Sequence, residues 1–158
     1  MQKLTHFDSQ GAARMVDVGE KAVTVREARA SGCVRMRAET ALLIRQRGLE
    51  KGDVLGVARL AGIMGAKRCG ELIPLCHSVA LDTIEVSFQF PDQQSVAIEA
   101  VARATARTGV EMEALLAVTT AALAIYDMCK SVDRAMVIER VRLEEKSGGR
   151  SGHFRRSS

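Results

Sequence analysis

The chain has 158 residues, enough for one domain that buries a core without disulfide or metal staples. Apolar residues make up 47%, too many for a disordered chain, and with no Trp, one Tyr and four Phe the core must be aliphatic. A net charge of +4 is compatible with an anionic ligand but too small to indicate nucleic acid by itself.

The stretch from Lys21 to Met36 is rich in Val and Thr and reads as a strand. Residues Arg37 to Arg47 have helical composition and end at Gly48, a C-cap candidate. A second helix is expected from an N-cap at Asp53 to about Cys69, with Gly56, Gly62 and Gly65 allowing close approach to a neighbour. Ile84, Val86, Phe88 and Phe90 then alternate with polar residues. After the turn Pro91-Asp-Gln-Gln94, Val96, Ile98 and Ala100 alternate with Glu99, Val101 and Arg103. Two alternating runs joined by a short turn predict an antiparallel hairpin with one buried face.

Thr108-Gly-Val-Glu111 matches a capping box and predicts a helix running to about Ser131. Its stripe Leu115, Thr119, Ala122, Tyr126 and Cys129 is expected to face the sheet. A last strand over Met136 to Leu143 precedes the glycine-rich tail KSGGRSGHF. Strand, helices, hairpin, helix, strand is the order of an α+β, ferredoxin-like split βαβ sandwich, an antiparallel sheet with helices on one face. It reads as one domain over residues 1–158, with flexible tails at 1–12 and 147–158.

The longest uncharged apolar run, Ala114 to Tyr126, has 13 residues, against about 20 for a bilayer span. With no signal pattern in MQKLTHFDSQ, the expected protein is soluble and cytoplasmic. The cysteines at 33, 69, 76 and 129 contain no C-x-x-C, and six residues separate the closest pair. That spacing is unlike structural zinc sites, so reduced thiols and no metal are expected.

Three features could carry chemistry. Asp127 follows the apolar run, near a helix C-terminus where the macrodipole disfavours negative charge, and Lys130 shares its side of the helix. They read either as a local ion pair or as a proton-transfer pair, and the apolar neighbours predict partial burial. Lys51, Lys67 and Lys146, with Arg150, sit beside glycines where backbone N–H groups can help cradle phosphate. Cys76-His77 occupies a loop after Pro74 and before a strand. Adjacent residues of an extended chain point apart, so His77 is a poor base for Cys76 and reads as a substrate contact or a structural histidine.

The stretches MVDV (15–18), KGDV (51–54), AKRCGELIPLCH (66–77), TGVEMEAL (108–115), IYDMCK (125–130) and KSGGRSG (146–152) closely resemble the molybdenum cofactor biosynthesis protein C family. The resemblance implies a cyclic pyranopterin monophosphate synthase, a ferredoxin-like subunit assembled as a homohexamer, a trimer of dimers, with active sites between subunits. Its substrate would be a cyclised GTP derivative from a partner radical enzyme, and pyrophosphate would be released. On this resemblance Asp127 and Lys130 are the acid/base residues. Lys51, Lys67 and Lys146 line the pocket, and Leu75-Cys76-His77 and Met112-Glu113 contact substrate. No cofactor is implied, whether Mg²⁺ escorts the triphosphate stays open, and no nucleic acid or membrane partner is expected. Where the family has proline after the histidine, this chain has Ser78.

Two other classes fit the same pattern less well. An RNA-binding module would stack bases on sheet aromatics, and the strands offer only Phe88 and Phe90, which alternate as core residues do. A phosphate-ligand sensor would bind a nucleotide without turnover.

Overall fold

The computed structural model describes residues 5–46 and 53–157. Chain order is β1 (Thr24–Arg35), α1 (Ala38–Arg45), α2 (Val54–Lys67), α3 (Cys69–Leu72), β2 (Thr83–Gln89), β3 (Ser95–Ala106), α4 (Glu111–Cys129), β4 (Val137–Ser147) and β5 (Phe154–Arg155). The five strands form one antiparallel sheet in the order β2-β3-β1-β4-β5. Because β3 lies antiparallel between β1 and β2, those two are parallel and are joined over the sheet by α1, α2 and α3. Strands β3 and β4 flank β1 in the same way, with α4 as their connection. These are two interlocked split βαβ units, as the sequence order predicts.

The hairpin alternation holds residue by residue. Val96, Ile98, Ala100, Ala102 and Ala104 are buried, whereas Glu99 and Arg103 face solvent. The opposite face of the sheet is laced with ion pairs, including Arg29 with Glu99 and Glu145, and Arg103 with Glu27. Helix α2 starts on Asp53, whose carboxylate accepts from the Gly56 N–H at 2.9 Å. Gly65 lets α2 meet α4, since a Cβ there would stand 2.7 Å from Thr120 Cγ2 and 2.9 Å from its Cβ. Gly48 lies outside the described residues.

Two local expectations change. The capping box does not form: α4 begins at Glu111, its N-cap is Val110, and no side chain closes it. Thr108 is therefore too far ahead of the first turn, and the Glu111 carboxylate instead fills the space beside Gly109. The buried stripe of α4 is Ala114, Ala117, Val118, Ala121, Ala122, Ile125 and Cys129, while Leu115, Thr119 and Tyr126 are only half-buried. Small side chains occupy the seam because α4 is squeezed between the sheet and α2, and Val118 packs directly over Gly32 of β1. By length and composition α4 is apolar enough to cross a membrane, and here it is the core helix. In β1, Val25 is exposed and Arg26 is buried.

Candidate active site

Arg26 is held by carbonyl oxygens at the end of β3. Its Nε donates to the Ala106 carbonyl at 3.3 Å and a guanidinium N–H to the Arg107 carbonyl at 3.2 Å. The glycine-rich tail folds over it. Gly148 and Gly149 have φ of 94° and 75°, where L side chains are strained. A Cβ on Gly149 would collide with the Arg26 guanidinium, and one on Gly148 with the Val25 carbonyl.

The result is a cavity of about 580 Å³ lined by Lys21, Arg26, Arg107, Lys146 and Arg150, with Glu20 and Glu111 its carboxylates among the described residues. Thr108, Gly109 and the Ser147–Ser151 segment complete the wall. Lys146 donates to the Ser151 hydroxyl at the rim. Five cations around exposed backbone suit an oligophosphate. Sequence reading singled out Lys146 and Arg150 here but missed Lys21, Arg26 and Arg107. The available signal for Arg26 was an arginine in a run of otherwise alternating apolar residues.

Met112 and Glu113 lie in the first turn of α4, Met112 exposed and Glu113 buried to 1%. The Leu75-Cys76-His77 loop reaches the same end of α4, because Cys76 and Glu113 approach within 4.8 Å through their ligand atoms. Burial raises the Glu113 pKa, with the Glu111 charge adding to it. Burial and Glu113 likewise raise that of Cys76, so this thiol is not tuned as a nucleophile. Helix α2 runs antiparallel to α4, with Gly62 against Ala117 and Ala121 and Cys69 near Glu113. Lys67, the exposed last residue of α2, therefore sits toward this same end. Ser78 lies against Gly70, where a Cβ would stand 3.0 Å from the Ser78 Cα. Lys51 lies outside the described residues.

Asp127 and Lys130 are elsewhere. Fourteen residues of helix separate Glu113 from Asp127, about 21 Å at about 1.5 Å per residue. Lys130 Nζ donates to Asp127 Oδ1 at 2.6 Å. Partial burial was expected, yet within one chain the two side chains are 68% (Asp127) and 54% (Lys130) exposed. The apolar neighbours Ile125 and Cys129 point into the core, which turns Asp127 outward. The hydrogen bond and charge of Asp127 hold Lys130 above the ordinary lysine value, which keeps it an ammonium. One chain thus groups the loop, the first turn of α4 and the cationic cavity at one end, and sets the acid/base pair at the other.

Comparison with known proteins places the chain. The model of the MoaC family matches residues 15–149. A Mycobacterium tuberculosis protein named cyclic pyranopterin monophosphate synthase 3 is 59% identical over 153 residues, covering 97% of this chain and 86% of the relative. A Magnetococcus marinus cyclic pyranopterin monophosphate synthase is 59% identical over 160 residues, covering 100% of this chain and 98% of the relative. Cyclic pyranopterin monophosphate synthase 1 of Mycobacterium bovis is 57% identical over 155 residues, covering 98% and 91%. With a family match over most of its length and relatives this similar from end to end, the chain belongs to the MoaC family.

Proposed function

We propose that this chain is a cyclic pyranopterin monophosphate synthase of molybdenum cofactor biosynthesis. It converts 3',8-cyclo-7,8-dihydro-GTP, the cyclised GTP intermediate made by an upstream radical enzyme, to cyclic pyranopterin monophosphate and pyrophosphate. The observation that carries the reading is the cationic cavity closed by the Gly148-Gly149 tail, whose charge and exposed backbone fit a triphosphate.

The chemistry divides along the helix. Lys146, Arg26 and Arg107 hold the phosphates and stabilise charge on the departing pyrophosphate, work that is mainly electrostatic. Lys67 and the Leu75-Cys76-His77 and Met112-Glu113 segments position the purine-derived part. Opening and reclosing that ring system needs proton transfers, and the exposed ammonium–carboxylate pair of Lys130 and Asp127 can donate and accept them.

Because the pair stands about 21 Å from Glu113 along α4, the reactive centre is completed by a second copy, whose Asp127–Lys130 end docks against the cavity end of its neighbour. The separation supports sites shared between subunits, and the family resemblance supplies the rest of the reading: a homohexamer built as a trimer of dimers, acting in the cytoplasm on a small-molecule substrate. Incubation of the purified protein with the cyclised intermediate is expected to yield pyrophosphate and the pterin product together. Tight binding of the intermediate with neither product would identify a sensor and overturn the assignment.

A further inference from the structure

Cys69 and Cys76 are brought together by a reversal of the chain that their spacing does not reveal. Cys69 opens the single turn of α3, and the Ile73 N–H returns to the Cys69 carbonyl at 3.0 Å. The Cys76 N–H then donates to the Ile73 carbonyl at 3.0 Å, and the two sulfurs stand 3.8 Å apart. Glu113 closes the triangle from α4, so that the two sulfurs and a carboxylate oxygen all lie within 4.8 Å of one another. Cys69 and Glu113 are each exposed to only 1%, and Cys76 is half-buried.

Two observations point to an ion. Two thiolates bound tetrahedrally to zinc at about 2.3 Å stand about 3.8 Å apart, which is the separation found here. Independently, Glu113 Oε2 is buried beside the two sulfurs with no nitrogen or oxygen partner, and the weak donor that reaches the carboxylate is the Cys69 thiol. A buried oxygen left unsatisfied costs free energy that a cation would recover.

We propose that Cys69, Cys76 and Glu113 form a binding site for one soft divalent cation of the zinc class, with the fourth coordination position open on the Cys76 side. Burial pushes the Cys69 thiol up to about 12, with Glu113 and Cys76 adding to it, and the same burial raises Cys76 and Glu113. Thiolate is the ligating form of cysteine, so loading displaces thiol protons. Nearby Glu111 adds negative charge that favours the loaded form. The sulfur-rich donor set selects zinc or cobalt over magnesium. The site shares Cys76 and Glu113 with the segments proposed to position the substrate, but its readout is the ion itself, so its failure and that of the synthase reading are distinguishable.

The test is anaerobic titration of the reduced full-length protein with Co²⁺, followed by displacement with Zn²⁺. One equivalent is expected to give thiolate-to-cobalt charge-transfer absorption with intense tetrahedral d–d bands, which zinc abolishes. Cys69→Ser, Cys69→Ala and Glu113→Gln are each expected to weaken zinc binding by at least the about 10–100-fold that follows loss of an outer partner of a metal site. Cys33→Ser, in β1, is expected to leave binding unchanged. Absence of charge transfer at one equivalent would overturn the proposal, as would unchanged zinc affinity in the Cys69 variants. The wild-type spectrum decides the question even if a variant fails to fold.

Discussion

Replacing Asp127 by Ala separates catalysis from stability with unusual clarity. The carboxylate is 68% exposed, and its Lys130 partner is 54% exposed. Within one chain solvent screens such a pair, and Asp127 also sits in the last turn of α4, where the helix dipole opposes negative charge. The two effects have opposite sign, so the melting temperature is expected to move by less than about 2 °C in a chain of this size. Activity should behave differently. A positioned acid or base contributes about 10²–10⁴-fold, so conversion of the cyclised intermediate should fall by at least about a hundredfold. Lys130→Ala should match it, and the double variant should cost little more than either alone, as expected for groups acting as a unit. The assay is single-turnover pyrophosphate release beside a thermal melt of the same preparation. Activity within about threefold of wild type, or a melt lowered by more than about 5 °C alongside the loss, would refute the reasoning.

Gly65→Ala should destabilise the chain. The new methyl meets Thr120 at 2.7 and 2.9 Å, an overpacking cost of about 1–3 kcal/mol, against about 1 kcal/mol gained in helix propensity. A urea midpoint at or above wild type would show that α2 shifts freely. Asp133 caps α1 from a distance: one oxygen accepts from the Arg37 N–H at 2.9 Å and the Thr40 hydroxyl at 3.2 Å, the other from the Ala135 N–H at 3.2 Å. Burial works to raise its pKa, but these donors and the Arg37 guanidinium outweigh it and hold the group below its usual 3.8. Its stabilising contribution is therefore complete above about pH 4 and is lost as pH falls through the depressed pKa. Asp133→Ala should cost about 2–4 kcal/mol near neutrality and converge on wild type in acid, as read by denaturant melts across pH.

Patterns that depend on near neighbours in the chain were legible. The β2–β3 hairpin follows from strict alternation, and the start of α2 from Asp53 three residues before the Gly56 N–H it accepts from. Thr108–Glu111 misled because a capping box is a matter of register, and Val110 rather than Thr108 precedes the first turn. The α4 stripe misled because large apolar residues do not mark the tightest contact. Alanines do where Gly32 and Gly65 bring the backbones together. At the site, the family motifs name Lys146 and Glu113, but the inward turn of Arg26 and the return of Cys76 onto Cys69 are tertiary. Each is fixed by carbonyls at or beyond the end of β3 or by the turn after α3, out of reach of any short window.

The proposed reactive centre takes its two halves from different copies of the chain. Mixing Asp127→Asn subunits with Lys67→Ala subunits, after dissociation and reassembly, tests it directly. Each variant alone should be nearly inactive. In the mixture, about a quarter of the interfaces pair an intact Asp127 end with an intact Lys67 end, and activity should rise to about that fraction of wild type. A mixture no more active than its parents, from assemblies shown to contain both subunits, would place the whole site within one chain and contradict the account.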